Sequence, residues 1–144
     1  MIQRAAIAAL LAMSMSGLVM APASAMSGYK WKNRPLLVFA PSQGSASLAT
    51  QRAIVASLRP AFQDRQMVVV YVVGDTVQSE LGDKPSQSAA PLRSRYGVGA
   101  GDFRVILVGK DGGEKLSSGS PIAATTLFAT IDAMPMRKDE TKRR

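Results

Sequence analysis

Apolar positions along this chain fall into two patterns. Leu36 to Phe39, Met67 to Val73 and Val105 to Val108 are unbroken apolar runs, the second rich in β-branched valine. Such runs predict strands covered on both faces, as in an α/β sheet. Between the first two runs, Leu48, Val55, Leu58 and Phe62 recur at helical spacing, with Ser45 or Ser47 as N-cap, which completes a βαβ unit. Pro60 conflicts with a helix continuing through Phe62, so a stop near Leu58 or a kink is expected there.

Residues 74–90 are polar, rich in Ser, Gly and Gln and without periodicity, and read as the longest loop. Pro91 fits the first position of a short helix that places Leu92 and Tyr96 one turn apart. After the third apolar run, Asp111-Gly112 tolerates the positive φ of a tight hairpin turn, and Glu114 to Ser117 reads as the returning strand. Ser120-Pro121 supplies an N-cap and a first helical residue for a face made by Ala124, Leu127, Phe128 and Ile131, with Pro135 as its terminator. The predicted order is β-α-β-(α)-β-β-α, an α/β fold around a mixed central sheet.

The first residues are of another kind. One positive charge, Arg4, precedes an apolar run from Ala5 to Met20 and then Ala21-Pro22-Ala23-Ser24-Ala25. These are the three regions of a secretory signal peptide, with cleavage expected between Ala25 and Met26. The alternative is an uncleaved anchor, but Ser14, Ser16 and Gly17 interrupt the run, which falls short of the roughly 20 apolar residues of a spanning helix. The expected organisation is a cleaved leader over 1–25, one domain over 26–136 and a basic, disordered tail over 137–144. A periplasmic or secreted location follows, with no transmembrane span in the mature chain.

Composition removes several chemistries. The chain has no cysteine and no histidine, so disulfides, thiolate or imidazole metal sites and histidine-dependent nucleophilic triads are impossible. Only oxygen-ligand metal sites survive, and the carboxylates are scattered without the spacing of a calcium loop. No metal or cofactor is expected. The net charge of +8 owes much to Arg137, Lys138, Lys142, Arg143 and Arg144, which lie beside only Asp139 and Glu140. The tail reads either as a solvated chain end or as a binder of polyanions or anionic lipid; with no aromatic interleaved, nucleic acid is the weaker reading.

Arg95-Tyr96-Gly97-Val98, followed by Val105-Ile106-Leu107-Val108-Gly109-Lys110-Asp111-Gly112, resembles the segment around the third strand of thioredoxins. That resemblance implies a thioredoxin-like three-layer sandwich. It also implies a reactive cysteine after the first strand, where this chain reads Ala40-Pro41-Ser42-Gln43-Gly44-Ser45, and a cis-proline near Asp102 to Arg104, where no proline stands. Serine has neither thiolate nor disulfide chemistry, so disulfide exchange and cysteine peroxidase activity are excluded. Three further strings, Tyr29-Lys30-Trp31-Lys32-Asn33-Arg34-Pro35-Leu36, Val108-Gly109-Lys110-Asp111-Gly112-Gly113 and Ile131-Asp132-Ala133-Met134-Pro135-Met136-Arg137, resemble the domain-of-unknown-function 4174 family. The resemblance implies an exported protein of this fold and lends no established activity.

The candidate binding residues form two groups. Ser42, Gln43, Gly44 and Ser45 sit where the fold presents its reactive loop; they are either turn and capping residues or a remnant anion or peptide site. Trp31, with Arg34 and neighbouring lysines, is either an exposed anchor or a cover for the sheet edge. Lys110 to Gly113 reads as a turn rather than a phosphate loop. Met134 is expected to dock into the core and to leave Met136 and Arg137 exposed. Together these readings favour a non-enzymatic module that binds an exported protein or an anionic envelope component. The alternative is a cysteine-independent enzyme using a hydroxyl or carboxylate such as Ser42, Asp102 or Asp111.

Overall fold

The computed structural model describes residues 26–144; the leader, and Ala25 of its expected cleavage site, lie outside the described residues. The elements are β1 (Arg34–Ala40), α1 (Ala46–Ser57), α2 (Arg59–Asp64), β2 (Met67–Val73), β3 (Thr76–Leu81), α3 (Ala89–Tyr96), β4 (Arg104–Val108), β5 (Glu114–Ser118), α4 (Ala124–Asp132) and α5 (Pro135–Lys142). The five strands form one sheet in the order β3-β2-β1-β4-β5. β1 and β2 pair in parallel across the α1–α2 crossover, and every other pairing is antiparallel. This is the mixed sheet of a thioredoxin-like α/β sandwich.

The apolar runs become the central strands because both faces of the sheet are covered. Leu36, Val38 and Ala40 point to one side with Val69, Tyr71 and Leu107, against Leu48 and Val55 of α1, Phe62 of α2, and Leu127 and Ile131 of α4. Leu37 and Phe39 point to the other side with Val70, Val72 and Ile106, where Leu92 of α3 and Tyr29 of the N-terminal turn pack. The period of two in β1 thus divides the core into two layers, one on each side of the sheet.

Pro60 acts as expected: α1 ends at Ser57, and α2 begins at Arg59 with the proline in its first turn. Four boundaries differ from expectation. Residues 74–90 are not one loop, because Val73 pairs with Thr76 across a two-residue Gly74-Asp75 turn and β3 runs back along the sheet edge. An edge strand needs only one apolar face, so its sequence, Thr-Val-Gln-Ser-Glu-Leu, lacks the apolar run of its neighbours. α3 starts at Ala89, which puts Pro91 third rather than first; an N–H there has no intrahelical partner to lose.

α4 begins at Ala124 and not at Pro121. The side chain of the enclosed Gln51 holds the intervening residues extended: its Oε1 accepts the Ile122 N–H at 2.8 Å and its Nε2 donates to the Ile122 carbonyl at 3.2 Å. The C-terminal segment differs most. Pro135 does not simply stop α4 but opens α5, because Met134 takes the extended conformation that precedes a proline and Pro135 takes the first helical position. Residues 137–142 are therefore helical and docked, where a frayed tail was expected. No helix among the described residues is long and apolar enough to cross a membrane.

Candidate functional site

The two groups of candidate residues lie at opposite ends of β1. Arg34 opens the strand and Ser42 follows its end, so about 23 Å of extended chain separates them. They cannot form one site.

At the far end, the Pro41–Ser45 loop behaves as a turn and cap. Ser45 Oγ accepts the Leu48 N–H at 3.3 Å, the Ser45 N–H reaches the Ser42 carbonyl at 3.2 Å, and Gln43 Oε1 accepts from Arg52 at 3.2 Å. Ser42, Gln43 and Gly44 are exposed. Beneath them the buried Arg93 donates to the carbonyls of Ala40, at 3.0 Å, and Gly74, at 2.5 Å. The guanidinium joins the ends of β1 and β2 under the loop, and no ionisable nucleophile stands above it.

The near end is richer. Trp31 is 60% exposed and adopts φ +66°, a left-handed conformation that a bulky side chain enters only under constraint. The constraint is visible: the Trp31 N–H donates to the Lys110 carbonyl at 2.6 Å, and Tyr29 carbonyl accepts from Lys32 and Asn33 at 2.9 and 2.8 Å, closing the turn around it. Trp31 and the exposed Met136 share a hollow of about 320 Å3 with Gln66 and Lys110. Arg143, Asp139 and Glu140 complete its wall. Lys30 lies 5.5 Å from the indole centroid, and Lys32, the next residue along the chain, is exposed.

Behind this hollow is a charge cluster. Arg34, expected to be available for binding, has no exposed surface. Its guanidinium donates to the Arg65 carbonyl at 2.9 Å and to both oxygens of Glu140, at 3.2 and 3.3 Å. Lys110, 7% exposed, donates to the same carboxylate and to Gln66 Oε1. Burial alone would raise the Glu140 pKa, but the hydrogen bonds from Lys110 and Arg34 outweigh it and hold the carboxyl below its ordinary value. Arg137 is also buried rather than exposed, donating to Asp64 Oδ2 at 2.7 Å and to the Asp64 carbonyl at 2.9 Å. Desolvation opposes its charge, yet the bond to Asp64 keeps its pKa raised. Met134 packs against the core and Met136 stays in solvent, as expected.

Arg34 therefore positions α5 instead of meeting solvent, because a charge at the first residue of a doubly covered strand is enclosed by its neighbours. Lys110, read from sequence as a turn residue, and Glu140, read as part of a solvated tail, are the residues that sequence reasoning missed. Among the described residues no group of three or more acidic side chains could hold a metal ion. Asp102 accepts the Gly99 N–H at 3.1 Å and Asp111 pairs with Lys115 at 2.9 Å.

Trp31 and Arg34 belong to the first family-like string, Lys110 to the second, and Met134, Met136 and Arg137 to the third. Strings separated by tens of residues in sequence meet at one end of the sheet. The family model described as domain of unknown function (DUF4174) matches residues 25–140, and the chain belongs to that family.

Proposed function

We propose that this protein is an exported, non-enzymatic binding module whose recognition face is the Trp31–Met136 end of the sheet. The observation that carries the reading is Trp31 itself: a large aromatic side chain, mostly exposed, presented on a constrained backbone beside a second exposed apolar residue. Ordered aromatic anchors of this kind dominate binding energies, and backbone strain accumulates at functional positions. Glu140 is already paired with Arg34 and Lys110, so Lys30 and Arg143 outnumber Asp139 around the indole and charge complementarity selects a partner segment that is acidic and apolar. The thioredoxin-like scaffold without a thiol supplies rigidity and no redox chemistry.

Trp31 is the only tryptophan, so its emission reports this face alone. Short acetylated peptides of acidic–apolar, neutral–apolar and basic–apolar composition provide the probes. The reading predicts a blue shift and reduced acrylamide quenching with the acidic–apolar class, weakening as salt is raised. Equal response to all three classes, or none to any, would count against it. Vesicles of anionic lipid form a separate arm: shielding of Trp31 by vesicles and not by peptides would assign the face to a membrane surface.

A further inference from the structure

Beside the Trp31 hollow lies a smaller one of about 90 Å3, walled by Arg34, Lys110, Met134 and Met136. Two cations of its wall, one enclosed and one 7% exposed, share a single carboxylate that lies outside it, since Glu140 is the only acidic partner within 4 Å of either among the described residues. The other charges of the wall cancel: Asp111 is paired with Lys115 at 2.9 Å. Arg137 approaches Glu140 at 3.6 Å but lies closer to Asp64, at 2.7 Å, a carboxylate it shares with the exposed Arg144, and to Asp132, at 3.5 Å. The Arg34 Nε–H is buried and has no hydrogen-bond partner. The cluster thus keeps an excess of one positive charge and an unused donor in a region largely shut off from water, where an uncompensated charge is costly.

We infer that this hollow is a subsite for a side-chain carboxylate of the partner segment, entering past Met136 to lie between Arg34 and Lys110. This rests on the recognition face proposed above and names one chemical element of its ligand. One negative charge balances the excess. The two methionines suit the slim methylene stem of an aspartate or glutamate, being adaptable apolar side chains. A carboxylate there accepts charge-assisted hydrogen bonds in a site of low dielectric, where such bonds are strong. A backbone α-carboxylate is disfavoured, because it would bring its own amide and side chain into the same small space.

The test uses propionate, the end of a glutamate side chain, titrated into the purified protein with methyl-labelled methionine. N-acetylglycine, sulfate and chloride at matched ionic strength serve as comparisons. The inference predicts saturable shifts of the Met134 and Met136 methyl signals with propionate, and much smaller shifts with the other anions. Lys110→Met, which leaves the Arg34–Glu140 pair in place, should weaken propionate binding about tenfold, the loss expected for a charge-assisted hydrogen bond. If that variant does not fold, the wild-type shifts decide alone. Propionate shifts no larger than those of chloride would overturn the subsite, as would equal response to sulfate. Peptide shielding of Trp31 could persist in either case, so failure here leaves the recognition face to be judged by its own experiment.

Discussion

Arg34 and Glu140 stand 106 positions apart in sequence, yet the guanidinium holds both carboxylate oxygens, at 3.2 and 3.3 Å. The pair fastens α5 across the end of the sheet, and its two members differ in exposure: Arg34 is enclosed, whereas Glu140 keeps 19% of its side chain in contact with solvent. Glu140→Gln leaves Arg34 and Lys110 without their carboxylate and should destabilise the protein by about 3 kcal/mol, the lower end of what breaking a buried pair costs. The double variant Arg34→Met/Glu140→Leu, which removes the charges of the pair together, should cost less than Glu140→Gln. Urea denaturation of the variants measures both. A double variant less stable than Glu140→Gln would show that packing by Arg34, rather than charge compensation, dominates.

Stability should be flat across neutral pH and fall at both ends. Glu140 has a folded pKa below its ordinary 4.5, so its contribution is present above that value and is lost as pH falls through the lowered one. Asp132, lowered by its hydrogen bonds from Arg65, acts in the same direction. At the alkaline end, burial and the nearby Asp83 push Tyr29 up to about 12 from 10.0, so its contribution is complete below the ordinary value and is lost as pH rises between the two. With neither histidine nor cysteine present, no side chain has an ordinary pKa between about 5 and about 8. Melting temperatures at constant ionic strength should show this plateau; a step near neutrality would contradict it.

Gln51 should be structurally indispensable despite being polar. It satisfies both the N–H and the carbonyl of Ile122. Gln51→Leu leaves two buried backbone groups without partners and should cost about 3 kcal/mol, which is more than a surface glutamine would. The early start of α4, at Pro121 instead of Ala124, is the accompanying change to look for in amide chemical shifts.

Trp31 separates strain from recognition. Its φ of +66° is costly for any residue with a Cβ, so Trp31→Gly should be more stable than Trp31→Ala by about 1 kcal/mol. Both should lose peptide binding equally. A glycine variant no more stable than the alanine one would mean that the turn relaxes when the indole is removed.

Strands with both faces covered were plain in the sequence, because burial demands the apolar runs that form β1, β2 and β4. The edge strand β3 was not, since its polar face carries Gln78 and Glu80, although Gly74-Asp75 is a hairpin signal of the same kind as Asp111-Gly112. Pro135 was read as a stop when it also serves as a start, and a run of charged residues after it concealed the docked face of α5. Trp31 could be singled out from its composition and neighbourhood. Arg34, Lys110 and Arg137 could not be placed, because a charge in a linear sequence suggests solvent. Their enclosure depends on Glu140, 30 positions beyond Lys110, and on Asp64, 73 positions before Arg137, distances that no helical or strand period connects.

Site-specific photocrosslinking in cells producing the protein tests the central claim, that recognition takes place at the Trp31–Met136 end rather than at the Ser42 to Ser45 loop. Photoreactive residues placed singly at Met136 and at Gln43 sample the two ends of β1. The account predicts a discrete protein adduct from position 136 that disappears with Trp31→Ala, and only diffuse labelling from position 43. A discrete adduct from position 43 with none from position 136 would contradict it and return the site to the Ser42 to Ser45 loop.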